Sequence, residues 1–462
     1  MSTTQPHQPP SAVIAVLGGG YAGLFAARRA ARAVTKARRS GATVVLVDSD
    51  DAWQERTRWH QVAAGETVRS HSRAHLFRGT PVETVTGTVT GIDLDGRTLT
   101  FGDREREPLA FDRLVYAAGS RSNAAVIPGA PAHAHTLDTA ETSRRIAIAI
   151  AERPDSRVLI AGGGLTGIQT AAQIARRHPK AHVTLVSSGT IGHELPGAAQ
   201  ARITQALTGL GVEIVKECRV EAVEPGYVRW ANDQIAADLV VWTAGFVPSP
   251  LAAQAGLTVT GSGQVIVDTT LRSVSHPFVF AAGDGAAVPR ASSAYGAYAA
   301  TATGATAGRN AGLDLAGRPV EPLSMGYSFL AVSLGPANAV VQLLHPDGIP
   351  RRQTLTGRPA SAFKEAVEHY VTFGVTAERT VPGVYRWAPA PTTKNGKHDQ
   401  GGNTPFVMIP AWYAEGPLPP KRAKIVIDLI NIFRFDENGR LTEEYVRTDY
   451  RGLLRQLGAD GR

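Results

Sequence analysis

Val13-Ile14-Ala15-Val16-Leu17-Gly18-Gly19-Gly20-Tyr21-Ala22-Gly23 decides the fold: a short apolar run breaks into three glycines and continues as an alanine- and arginine-rich stretch to about Arg39. The run reads as a buried strand, the stretch after it as a helix, and the second apolar run, Thr43 to Val47, as the next strand of a βαβ unit. In this G-x-G-x-x-G spacing Gly18 permits the tight turn and Gly20 lets a pyrophosphate approach the backbone. Gly23 allows the helix to pack closely on the strand, and the helix N-terminus, opened by Tyr21 and Ala22, faces the phosphates. Asp48, closing the second strand, is placed to accept hydrogen bonds from both hydroxyls of an adenosine ribose.

The pattern occurs twice. Val158 to Ala161 runs into Gly162-Gly163-Gly164-Leu165-Thr166-Gly167, a helix follows through Arg177, and Val183 to Val186 forms the next strand. Two such loops in one chain imply two dinucleotides, hence FAD together with NADH or NADPH. Where the second unit's strand ends, Ser187 and Ser188 stand in place of the usual acidic residue. A hydroxyl does not repel a 2′-phosphate, yet no arginine adjoins these serines to bind one, so the choice of coenzyme stays open. Phe280-Ala281-Ala282-Gly283-Asp284 places a carboxylate after a small-residue strand end, where it can bond a flavin's ribityl hydroxyls. The runs Leu114 to Ala118, closed by Gly119, and Leu239 to Ala244, closed by Gly245, echo one another. Ala118, Gly119, Gly245 and Gly283, with Val89 in the strand-like stretch Val82 to Ile92, complete the expected cofactor contacts.

Composition narrows the chemistry. At 462 residues the chain exceeds one ordinary domain, and 43% hydrophobic with 19% charged residues describes a globular protein. The net charge of +8 is dispersed, with Arg28, Arg29, Arg32, Lys36, Arg38 and Arg39 spread over one helix, so no nucleic-acid partner is expected. A single cysteine, Cys218, excludes an internal disulfide and a CxxC redox pair, and it reads as a small apolar residue. No apolar run reaches the length of a membrane span and residues 1–11 lack a signal-peptide core, so the expectation is a cytoplasmic chain without a transmembrane anchor.

The chain resembles the flavoproteins with two dinucleotide-binding domains, and within them the type II NADH dehydrogenases and related quinone reductases. Gly18 to Gly23, Phe111-Asp112-Arg113-Leu114-Val115-Tyr116-Ala117-Ala118-Gly119-Ser120, Gly162 to Gly167, Val241 to Gly245 and Thr270 through Asp284 carry the resemblance, over about residues 12–345. It implies that the first glycine motif and Asp284 hold FAD while an inserted middle domain holds NAD(P)H. It also places Ser328 to Gln342 near the flavin. Two positions depart from the family. Gln169 stands where a glutamate adjoins the flavin–nicotinamide contact, and an amide cannot carry charge or shuttle a proton. Ala297 to Gly304 replaces the glutamine-bearing quinone helix. His60, in Arg58 to Gly65, falls in the segment that approaches the flavin in relatives and is a candidate contact to flavin or acceptor; Gln169 and His60 are the candidate catalytic residues.

The expected fold is α/β: an FAD-binding domain, residues 12–125 and 246–324, with an NAD(P)H-binding domain, 126–245, inserted. A C-terminal region follows at 325–388 with strands Ser328 to Leu334 and Ala339 to Leu344 and a helix near Ala362 to Phe373. Residues 389–404 read as a linker. In the tail, 405–462, Lys424 to Phe435 and Arg440 to Val446 read as a strand hairpin similar to the end of a polyketide-cyclase-like domain. The expected reaction passes hydride from NAD(P)H to flavin and two electrons on to a small conjugated acceptor such as a quinone. The alternatives are a reductase for a ferredoxin- or rubredoxin-like carrier and a flavin-bound NAD(P)H sensor; a homodimer is left open.

Overall fold

The computed structural model describes residues 12–37, 41–289 and 296–380, Tyr385, Trp387, and the strand pairs 393–394 with 397–398 and 429–435 with 441–448. Two five-stranded parallel sheets organise it. The first runs, in spatial order, Val279–Ala281, Arg113–Tyr116, Ala12–Leu17, Ala42–Asp48 and Val82–Thr86. The second runs Ala134–Thr136, Leu239–Trp242, Arg157–Ala161, His182–Val186 and Glu213–Val215. The central strands are near-continuous apolar runs because both faces of each sheet are covered there, and Ile14, Ala15, Val16, Leu114 and Phe280 are fully buried.

In each sheet the strand leading into a glycine loop lies between its sequence neighbour on one side and a later strand on the other. That reversal of strand order leaves a crevice beyond the carboxyl ends of the strands. The last strand of the first sheet, Val279–Ala281, comes after the whole second sheet, so the second unit is an insertion in the first. The chain crosses between the units on Ser120–Ser122 and Phe246–Pro248, which pair antiparallel. The structure is thus two Rossmann-like units with one inserted in the other.

Helix Tyr21–Lys36 packs on helix Ala297–Leu315 at unusually short range. A Cβ on Gly304 would lie 2.1 Å from the Ala22 carbonyl oxygen, and one on Gly308 would lie 2.0 Å from that of Ala26. Glycines four apart opposite alanines let the two backbones touch. The longer helix in turn holds the Gly283 turn, whose N–H donates to Thr303 Oγ1 at 2.9 Å.

The C-terminal region is a three-stranded antiparallel sheet, Phe329–Ser333, Ala339–Leu344 and Pro350–Thr356, with helix Gly357–Thr380 against it. The third strand was not read from the sequence, and the helix is longer at both ends than the expected Ala362 to Phe373. The hairpin expected in the tail is present as Leu429–Phe435 against Leu441–Thr448. The remainder of the tail, with its cyclase-like ending, and most of the linker lie outside the described residues. Among the described residues no helix is long and apolar enough to cross a membrane.

Candidate functional site

One cleft of about 1680 Å³ is lined by both glycine loops, the crossing strands and the C-terminal region. A site for one small ligand is typically about 300–1,000 Å³, so this cleft has room for two dinucleotides side by side.

Gly18 forms the first turn at φ +105°, where a Cβ would lie 2.2 Å from the Ala117 carbonyl oxygen. Gly20 is the N-cap of helix Tyr21–Lys36, without a side-chain cap, and the space where its Cβ would stand is open. The helix therefore presents uncapped N–H groups to the cleft, which is the environment a pyrophosphate requires. Gly23 faces away from the cleft: its Cβ would lie 1.7 Å from the Gly18 carbonyl oxygen, so it sets the helix–strand approach. Asp48 lines the cleft and accepts from the Gly19 and Asp50 N–H groups, the latter at 3.0 Å.

Arg73, which nothing in the sequence singles out, reaches the same place. It pairs with Asp48 at 3.0 Å and lies over Gly19, so the carboxylate expected to meet the ribose is neutralised from within. On the far side Gly119 lines the cleft at φ +67°, Ser120 Oγ donates to Asp284 Oδ2 at 2.7 Å, and Ala118, Gly283 and Asp284 share that wall.

The second loop repeats the geometry. Gly162 turns at φ +127°, Gly164 caps helix Leu165–Arg177 with open space around it, and Gly167 packs 1.9 Å, measured from its would-be Cβ, from the Gly162 oxygen. Gly164, Leu165, Thr166, Ser187 and Gly245 face the cleft. Gln169 does as well, and its Oε1 accepts from the Ser333 N–H at 3.2 Å, which ties the second unit to the C-terminal sheet.

Two readings need correction. Val89 does not reach the cleft; it is buried in the core, paired with Phe101 across a β-ladder, because the strand Val89–Asp93 belongs to a separate three-stranded sheet. And although no arginine adjoins Ser187 and Ser188 in sequence, one does in space. The Cys218 N–H donates to the Ser187 carbonyl at 2.9 Å, which brings exposed Arg219 onto the cleft wall beside the two serines and His193. Cys218 itself is buried, and burial followed by the charge of Asp233 pushes its thiol up to about 11, so it stays protonated.

His60 stands on the third wall. It is 4% exposed, and burial, then Lys364 and Arg58, lower its imidazole to about 3, so it is neutral. Beside it runs a network: Arg58 pairs with Glu55 at 2.6 Å, Glu368 at 2.8 Å and Glu365 at 3.0 Å. Lys364 bonds Glu368, and Thr372 Oγ1 donates to Glu55 at 2.8 Å. Sequence reading found His60 but none of its partners on the C-terminal helix. Among the described residues no cluster suited to a metal is present.

Two glycine-cradled nucleotide sites opening on one cleft define a dinucleotide-dependent oxidoreductase of the two-Rossmann class. The chain belongs to the pyridine nucleotide-disulphide oxidoreductase family, whose pattern it matches over residues 12–304. It is 30% identical over 385 residues to an NADH dehydrogenase-like protein of Mycobacterium tuberculosis, covering 77% of this chain and 92% of that one. It is 27% identical over 358 residues to the demethylphylloquinone reductase of Synechocystis, covering 71% and 86%. The sulfide:quinone oxidoreductase of Aquifex aeolicus shares its fold, with a TM-score of 0.67 at 17% identity, covering 82% and 96%. The chain is accordingly an NAD(P)H-dependent flavoprotein oxidoreductase, with FAD and NADH or NADPH as its cofactors.

Proposed function

We propose that this protein reduces a small quinone at the expense of NAD(P)H. The observation that carries the reading is the third wall of the cleft. Besides the two nucleotide loops the same cavity is lined by Phe329, Leu330, Val367 and Val371, together with His60, Lys364 and Glu368, and the apolar side chains of this wall suit a planar conjugated molecule. The sole cysteine is buried and protonated, which leaves no residue for disulfide chemistry. The Synechocystis relative is named for a quinone substrate, which agrees with this choice of acceptor.

FAD, when bound, supplies the two-electron relay between the nicotinamide and the acceptor. The chain's own residues position and insulate. Gly18, Gly20, Tyr21 and Ala22 cradle the flavin pyrophosphate at the helix N-terminus, and Asp48 with Arg73 holds the adenosine end. Ala118, Gly119, Gly283 and the Ser120–Asp284 pair hold the ribityl side. Gly162, Gly164, Leu165 and Thr166 cradle the nicotinamide nucleotide's pyrophosphate, Ser187 faces its adenosine ribose, and Gln169 and Gly245 border the space between the two cofactors. Gly23 and Gly167 act by packing alone, since neither faces the cleft.

The test is anaerobic stopped-flow spectroscopy of the purified holoprotein, mixed first with NADH or NADPH and then with a naphthoquinone, a ferredoxin or O₂. Fast bleaching of the flavin band followed by fast recovery with the quinone is the expected result. Recovery only with the ferredoxin, or none with any acceptor, overturns the quinone reading.

A further inference from the structure

Gln169 has one half of its amide settled and the other half open. Its Oε1 accepts from the Ser333 N–H at 3.2 Å, and since an N–H can be met only by the oxygen, the NH₂ end must turn away from Ser333. Among the described residues Nε2 has no hydrogen-bond partner, and it is not sealed from solvent. The helix decides which way it opens. Leu165, Gln169 and Gln173 follow one another along the same face of helix Leu165–Arg177. Gln173 is 3% exposed and donates to Glu66, so the way toward the helix C-terminus is closed, whereas Leu165 and Gln169 line the cleft. Helical side chains lean toward the N-terminus of their helix, so Gln169 leans toward Leu165 and the glycine loop. The frame around it is fixed: a Cβ on Gly335 would lie 3.0 Å from Arg176 Cδ and Nε, and Arg176 pairs with Glu66 at 3.4 Å. Two N–H donors without a charge are therefore held, already oriented, beside the loop that cradles the nicotinamide coenzyme's pyrophosphate.

A dinucleotide seated by its pyrophosphate on Gly164, Leu165 and Thr166 carries its nicotinamide one ribose away, and Gln169 stands five residues beyond the N-cap, about 7.5 Å along the axis at 1.5 Å per residue. On that ring the carboxamide oxygen is the acceptor. We propose that Gln169 Nε2 donates to this oxygen, so that Gln169 recognises the carboxamide and sets which way the ring faces. The proposal rests on the placement of the coenzyme at the second glycine loop given above and is independent of the acceptor. An amide makes this contact without a charge, which matters because the ring is neutral when reduced and a cation when oxidised. An ionised carboxylate at the same position can only accept, so it would turn the carboxamide round to present its NH₂, and it would attract the oxidised ring. Gln169 does neither. It binds the two redox forms through the same hydrogen bond, and the oxidised coenzyme is not held back there by its charge.

The test is calorimetry on the oxidised holoprotein, titrated with oxidised coenzymes so that no electrons move, in the NAD or the NADP series, whichever binds. The native protein is expected to bind the natural oxidised coenzyme about tenfold more tightly than its thionicotinamide analogue, whose sulfur is a poor acceptor; tenfold is the equivalent of one hydrogen bond. Gln169→Glu keeps an oxygen for the Ser333 N–H but has no donor, so this preference should vanish while the matching ADP-ribose, which lacks the ring, binds as before. The same variant should shift affinity by about tenfold or more toward the oxidised coenzyme over its uncharged tetrahydronicotinamide analogue. Equal native affinity for oxygen and sulfur overturns the proposal without relying on any variant, as does a flavin-retaining Gln169→Glu protein that keeps the preference or loses ADP-ribose. Gly164→Val separates the two readings, because Gly164 lies at φ −76° with nothing within 4 Å of its would-be Cβ, so the added side chain meets no clash and projects where the pyrophosphate would sit. Loss of coenzyme binding in that variant supports the placement at the second loop; unchanged binding overturns the placement and the proposal with it.

Discussion

Replacing Gly308 by alanine opposes two effects of known size. Helix propensity alone favours alanine over an interior glycine by about 1 kcal/mol. Packing says the reverse, because the new Cβ would lie 2.0 Å from the Ala26 carbonyl oxygen and 2.5 Å from the Ala26 carbonyl carbon and Cα. All three are backbone atoms in the middle of helix Tyr21–Lys36, so no side chain can swing aside and the two helices must part by about 1 Å or more to reach ordinary contact. Overpacking of this kind costs about 1–3 kcal/mol, occasionally more, and with rigid backbone on both sides the upper end applies, for a net loss of about 2 kcal/mol after the propensity gain. The separation would also disturb Thr303, which accepts from the Gly283 N–H beside Asp284, so flavin retention should fall together with stability. The assay is thermal unfolding of the holoprotein followed by release of flavin fluorescence. Gly209→Ala is the control: this residue closes helix Gly197–Gly209 with nothing within 4 Å of its would-be Cβ, and it should be neutral or slightly stabilising. A Gly308→Ala protein as stable as the native one, with unchanged flavin content, would refute the reasoning.

Three further outcomes are expected. Asp48→Ala should leave Arg73 without its carboxylate partner and lower flavin content after gel filtration, whereas Asp95→Ala, on a remote turn, should not; equal retention in both would count against the role of Asp48. Because His60 is held near 3 in the folded state against 6.5 in an unfolded chain, the unfolded state binds the extra proton in that window. Stability is therefore complete above about pH 6.5 and is lost as pH falls toward 3, with a slope of up to about 1.4 kcal/mol per pH unit that His60→Phe should remove; parallel native and variant profiles from pH 7 to 4 would contradict this. If Arg219, which follows Cys218 on the cleft wall, serves a 2′-phosphate at the Ser187–Ser188 strand end, Arg219→Glu should weaken binding of 2′,5′-ADP by about tenfold or more and leave 5′-AMP nearly untouched, measured by calorimetry. Equal loss for both nucleotides would show that Arg219 serves the adenine or the fold.

The parts of this site that were legible in the sequence are those whose chemistry is local. Each glycine loop is read within about ten residues, because the turn, the phosphate approach and the helix–strand contact are all made by the same short segment, and Asp48 and Asp284 follow at strand ends. The strand Pro350–Thr356 was missed for a different reason: its arginines, glutamine and threonines hide the apolar alternation, although Asp347-Gly348 before it is a hairpin signal that could have found it. Arg73 and Arg219 were illegible because each comes to the cleft from a distant segment, Arg73 from the start of helix Arg73–Leu76 onto the first glycine loop and Arg219 from the residue after Cys218. The C-terminal helix shows the limit most clearly. Phe363-Lys364-Glu365-Ala366-Val367-Glu368 looks like an ordinary charged helix face, and by sequence alone Lys364 and Glu368 are solvated. They face inward because Arg58, some three hundred residues earlier in the chain, provides the opposite charge that makes burying a carboxylate tolerable. The same ion pairs thus bring Lys364 up to His60, and this wall of the cleft exists only once two segments some three hundred residues apart have met.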